Sequence, residues 1–162
     1  MAMNMSEYNG NAKVITLDLD DESFRNAKLD DSDVSIAQTH LTNMSKLAFV
    51  GTPYEKNIDC IYGDSNCVDL SSYKTKVKMV YVDGGHDLRT LESDTKNALE
   101  MLPIQKEELS CVIWHDYLNR NYNVTDYLDE MSKKLDLYHV EETMIVFYLK
   151  NASSQLKAKL VG

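Results

Sequence analysis

Positive charge is scarce in this sequence: 17 Lys and Arg stand against 26 Asp and Glu in 162 residues, for a formal net charge of -9. Phosphate binding needs clustered Lys and Arg, so nucleic acid is excluded as the main partner, and a small molecule or a protein is expected instead. Long apolar runs are also missing. Nothing approaches the ~20 residues of a membrane-spanning helix, so no membrane partner is expected, and Met1 to Gly10 has no signal-peptide core. Cysteines are few and odd in number, and Cys60, Cys67 and Cys111 lack zinc-ligand spacing. Two of them lie inside apolar strand-like runs, so buried, reduced thiols are expected, which suits a reducing compartment and a cytoplasmic protein. No internal repeat, low-complexity tract or linker interrupts the chain. With 43% hydrophobic residues it can bury a real core, and the expectation is one domain over residues 1–150 followed by a tail, 151–162.

What the sequence does contain is an alternation of strand and helix patterns. Lys13-Val14-Ile15-Thr16-Leu17 is a short apolar strand after the turn-prone Asn9-Gly10-Asn11, and a crowd of acids follows it: Asp18, Asp20, Asp21 and Glu22. The stretch from Asp31 to Ala48 is helical over part of its length, and Gly51-Thr52-Pro53 stops it. Ile58-Asp59-Cys60-Ile61-Tyr62 reads as a second strand and Val77-Lys78-Met79-Val80-Tyr81-Val82 as a third. Leu88, Leu91, Thr95, Ala98, Leu99 and Leu102 then form one helical stripe closed by Pro103. Leu109-Ser110-Cys111-Val112-Ile113 is a fourth strand, and Asn123 to Leu137 a further amphipathic helix. Tyr138-His139-Val140 and Met144 to Leu149 make an antiparallel pair around Glu141-Glu142-Thr143, placed at an edge of the sheet. The fold class expected is α/β, a mainly parallel sheet with an antiparallel C-terminal hairpin.

Chemistry-bearing residues collect at the C-terminal ends of these strands, the edge where open α/β sheets bind ligands. Asp18 ends the first strand, where a carboxylate can accept two hydrogen bonds from a ribose diol, or equally be a solvated acid or helix cap. Gly63-Asp64-Ser65 follows the second, able to meet the amine edge of an adenine or to build an Asx turn. The third strand runs into Asp83-Gly84-Gly85-His86-Asp87 and the fourth into Trp114-His115-Asp116-Tyr117. Carboxylates from neighbouring strand ends suit Mg²⁺ or a similar ion, and imidazole adds a proton acceptor near neutral pH. The alternative is that His115 and His86 are pocket-edge or core histidines held by Asp116 and Asp87 respectively. Gly84-Gly85 leaves the backbone open where something must approach closely. Among the tyrosines only Tyr117 is placed by the site.

The ordered series Val14-Ile15-Thr16-Leu17-Asp18, Ile61-Tyr62-Gly63-Asp64-Ser65, Val80-Tyr81-Val82-Asp83-Gly84-Gly85-His86 and Val112-Ile113-Trp114-His115-Asp116-Tyr117 resembles class I S-adenosylmethionine-dependent methyltransferases. It is most similar to the small-molecule methyltransferase group with Asp-Gly-Gly-His and His-Asp-Tyr strand ends, related to metal-assisted O-methyltransferases, over about Lys13 to Lys150. The resemblance implies a Rossmann-like sheet and S-adenosylmethionine as cofactor, bound by Asp18 at the ribose, by Asp64 and Ser65 at the adenine, and by Asp83. It implies a metal at Asp83, His115 and Asp116, where those relatives carry Asp-Asp or Asp-Asn in place of His115-Asp116, and a base at His86. No Gly-x-Gly precedes Asp18, so the expectation is an N-terminally truncated sheet without the first strand and glycine-rich loop, Met1 to Tyr8 being the end of the following helix. That strand belongs between those ending at Asp18 and Asp83. Its absence implies either two exposed strand edges, open to homodimerisation, or direct pairing of the two flanking strands. The function expected is methylation of a small molecule. The alternative is a catalytically inactive binding or dimerising module, and a metal-dependent hydrolase site ranks below both.

Overall fold

β-Branched and apolar residues open the first described strand, β1 (Val14–Asp18), which pairs in parallel with β2 (Ile58–Tyr62) from Val14 against Ile58 to Asp18 against Tyr62. This computed structural model describes residues 12–29, 31–43 and 47–161, so the expectations placed on Met1 to Asn11 lie outside the described residues. The pair is tied at both ends. Asn57, buried just before β2, donates from Nδ2 to the Ala12 carbonyl at 3.0 Å, and the Gly63 amide donates to the Asp18 carbonyl at 2.8 Å. Between the strands lie α1 (Asp21–Asn26) and α2 (Asp31–Asn43). The acids after β1 now have a cause: Asp20 caps α1 by accepting from the Ser23 amide at 2.7 Å, and that bond holds its carboxyl below the usual range.

The chain divides into two compact units, Met1–Val68 and Asp69–Gly162, where the sequence suggested a single domain to residue 150. The second unit is built on a four-stranded mixed sheet in the order β3-β4-β6-β5. Its strands are β3 (Met79–Val82), β4 (Ser110–Trp114), β5 (Leu137–His139) and β6 (Val146–Lys150). β3 and β4 are parallel, whereas β6 runs antiparallel to both β4 and β5. The expectation of a mainly parallel sheet is met only in part: two pairings are parallel, and the two that involve the C-terminal hairpin are antiparallel. The reason is the tight turn at Val140–Thr143, which reverses the chain without a crossover and so delivers β6 antiparallel against β4. As expected, the hairpin lies at one end of the sheet.

Among the described residues three α-helices belong to this unit: α3 (Leu88–Met101), α4 (Val124–Ser132) and α5 (Ser154–Val161). The core comprises Val82, Leu91, Ala98, Leu102, Val112, Trp114, Val124, Leu128 and Val146, so the predicted stripe of α3 does face inward at Leu91, Thr95, Ala98 and Leu102. Trp114 is the largest buried side chain, and its indole N–H donates to Thr95 Oγ1 at 3.0 Å, satisfying the one polar atom it takes inside. α5 falls in the predicted tail, tied back by Lys157 to Asp136 at 2.7 Å. No helix of the described residues is long and apolar enough to cross a membrane.

Candidate functional site

Strand register assembles the site. Val82 pairs with Trp114, so the residues that follow, Asp83 after β3 and His115-Asp116 after β4, emerge side by side at the C-terminal ends of two adjacent parallel strands. His115 Nδ1 lies 3.3 Å from Asp83 Oδ1 and 3.1 Å from Asp116 Oδ2. One ligand atom from each of the three residues falls within 4.8 Å of the others. Asp83 is open to solvent, with its side chain 46% exposed, whereas that of Asp116 is 13% exposed.

The Asp116 backbone is left-handed at φ 63°, a conformation Asp tolerates better than most residues, and it turns the carboxylate back across the strand ends. His86 Nε2 meets Asp116 Oδ2 at 3.0 Å, and Asn119 Nδ2 donates to Oδ1 at 3.4 Å. Burial works to raise the Asp116 carboxyl, but the hydrogen bonds from His115, His86 and Asn119, with the nearby His115, outweigh it and hold the group below its ordinary value. Tyr81 sits beside this cluster with its ring 6.4 Å from that of His115. Burial, then the charges of Asp83 and Asp116, pushes its hydroxyl up.

Of the residues singled out in the sequence, Asp83, His86, His115 and Asp116 come together, around a depression with about 10 Å³ of enclosed space that Gly84 and Trp114 also line. That is room for about one water-sized group, so this depression takes an ion or a water rather than a whole ligand. The group that approaches Gly84 closely is internal: a Cβ there would lie 2.7 Å from Asp94 Oδ2. Asp87 does not hold a histidine. It caps α3, accepting from the Thr90 amide at 3.1 Å and the Thr90 hydroxyl at 2.6 Å. Tyr117 directs its hydroxyl to Asp129 at 2.9 Å.

Asp18, Asp64 and Ser65 belong to the first unit and are half-buried. Asp64 forms the turn that its position also allowed, accepting from the Asn66 amide at 2.9 Å and its Nδ2 at 3.0 Å. All three cysteines are free; Cys60 and Cys111 are half-buried in β2 and β4, whereas Cys67 is exposed, against the expectation of burial. Burial pushes the Cys111 thiol up.

Sequence reasoning passed over Tyr122, Asn119 and Asn123. Tyr122 stacks on His86 with centroids 3.7 Å apart, and Asn123 Nδ2 donates to the His86 carbonyl at 3.3 Å. The signal available was the polar density of Asn119-Arg120-Asn121-Tyr122-Asn123, too rich in hydrogen-bonding groups for a plain connection.

Residues with this geometry fit a cation. Donor atoms about 2.1 Å from one ion and about 90–110° apart lie roughly 3.0–3.4 Å from each other, which brackets the two separations at His115 Nδ1. With no ion, the same spacing is met by a proton on Nδ1 shared between the two carboxylates. No protein-family model matches this chain, and no curated protein matches it.

Proposed function

We propose that this chain has the Rossmann-like fold of class I S-adenosylmethionine-dependent methyltransferases and that its chemistry is O-methylation of a small molecule, assisted by a divalent cation. The observation that carries this reading is the convergence of Asp83, His115 and Asp116 at the C-terminal ends of adjacent parallel strands, where α/β sheets bind ligands. The resemblance assigns Asp18, at the end of β1, to the ribose hydroxyls of the cofactor and Asp64 and Ser65, beyond β2, to its adenine. It counts Asp83 with the cofactor-binding groups as well. Three free thiols suit a reducing, cytoplasmic setting.

The reaction is an in-line displacement: the acceptor oxygen bonds to the methyl carbon as the carbon–sulfur bond breaks, and the protein chiefly aligns the two. The acceptor hydroxyl must also lose its proton. A cation held by Asp83, His115 and Asp116 would lower that hydroxyl's pKa, so that solvent water could take the proton. Carboxylates alone suggest Mg²⁺, but an imidazole in the donor set favours a borderline ion such as Mn²⁺ or Zn²⁺. His86, the base expected from the sequence, is only 8% exposed and engages Asp116 through Nε2, whereas the His115 side chain is 34% exposed.

Calorimetric titration of the full chain with S-adenosylmethionine and S-adenosylhomocysteine, with and without Mg²⁺ or Mn²⁺, tests the reading. Micromolar binding that is lost in Asp18→Ala is the expected result. No binding by a folded sample overturns it and leaves a second reading, a catalytically silent module that binds a partner or a second copy of itself. One observation favours that alternative: among the described residues β3 pairs only with β4 and β1 only with β2, and Met79 and Tyr81 on β3 are exposed. Light scattering that finds only monomer at high concentration would argue against self-association.

A further inference from the structure

We propose that His86 is a positioning residue: as a hydrogen-bond donor it fixes the Asp116 carboxylate in the orientation that a cation on Asp83, His115 and Asp116 requires. The inference rests on the cation reading above. His86 is itself held on several sides. Its ring lies against Tyr122, 3.7 Å away and inclined by 13°, its carbonyl accepts from Asn123, and 8% of the residue is exposed. From this seat Nε2 reaches Asp116 Oδ2 at 3.0 Å, while Asn119 reaches Oδ1.

Asp116 follows a strand end with a left-handed backbone, and hydrogen bonds to its carboxylate oxygens narrow the rotamers open to it. Here each oxygen has its own donor, from two different segments, and Oδ2 keeps a further lone pair facing His115 Nδ1 at 3.1 Å. Outer donors of this kind orient the groups that touch a metal and typically contribute ~10- to 100-fold in its affinity. The two roles considered for His86 make opposite demands on one atom. A base acting through Nε2 needs that nitrogen bare, whereas a donor to Asp116 needs it protonated.

Mn²⁺ alone is the probe, titrated into the full chain and followed by the electron paramagnetic resonance signal of the free ion. His86→Phe keeps a ring to stack on Tyr122 but removes the donor, and His86→Gln restores a donor. The expected result is ~10- to 100-fold weaker Mn²⁺ binding in His86→Phe, with most of the loss recovered in His86→Gln. Equal binding in wild type and a folded His86→Phe overturns the inference while leaving the cation reading intact. No binding by wild type overturns the cation reading and the inference with it. If His86→Phe does not fold, long-range proton–nitrogen spectra of the wild type decide: a protonated Nε2 is expected, and a bare Nε2 leaves nothing to donate and overturns the proposal.

Discussion

Asp116 concentrates the chemistry of the second unit in one side chain. It accepts hydrogen bonds from groups on both sides, His86 and Asn119 among them, and this holds its carboxyl below the 3.8 of an unperturbed Asp although burial pulls the other way. A carboxyl whose folded-state pKa is depressed contributes stability that is present above the unfolded value and lost as pH falls through the folded one. Wild type is therefore expected to be more stable than Asp116→Asn at neutral pH, with the difference shrinking below about pH 4. Urea unfolding of both proteins with EDTA present, at several pH values between 6 and 3, measures this. A gap independent of pH would show that the carboxylate is not held ionised by its neighbours.

α3 depends on its ends and one face. Asp87 caps the first turn by accepting from the Thr90 amide and hydroxyl, and Thr90 is itself buried. Inward-facing Leu91 and Ala98 then dock the helix in the core, with Leu102 following at its C-cap. Asp87→Ala removes the cap acceptor and is expected to cost about 1 kcal/mol, read as a lower urea midpoint at unchanged slope. An unchanged midpoint would mean that the docked face alone holds the helix start. The element also bears on the site, because the segment between β3 and this cap carries His86. Loss of the cap is expected to loosen His86 before it unfolds the sheet.

The two units differ in what holds them. The second has a contiguous core in which Trp114, Leu102, Leu128 and Val112 are fully buried, each such side chain worth about 1.5–3 kcal/mol on burial. In the first, the described residues include no buried apolar side chain, and the β1–β2 pair is joined by backbone ladder and polar ties. Isolated two-stranded pairs are marginal in water. Amides of β1 and β2 are expected to exchange with solvent hydrogen roughly tenfold or more faster than those of β4 and α3, which corresponds to ~1.4 kcal/mol in opening free energy. Uniform protection would mean that the chain unfolds as one cooperative unit. Cofactor binding, on the proposed reading, would raise the protection of β1, because a ligand that binds only the folded form stabilises it by mass action.

Much of this protein is written locally. β-Branched runs located β1 to β4, one helical stripe located α3 nearly to its ends, and the position of acids and histidines after strands located Asp83, His86, His115 and Asp116. Such features depend on neighbours a few residues apart, which is the range over which periodicity and turn chemistry act. Partnerships across the chain were not legible. His86 could have faced Asp87 or Asp116, and the choice of Asp116 follows from the parallel register of β3 on β4, where Val82 meets Trp114. The same holds for the stacking of Tyr122 on His86 and for the place of β6 between β4 and β5. Each is set by packing between segments distant in sequence, where shape and burial choose among pairings that local patterning leaves equal.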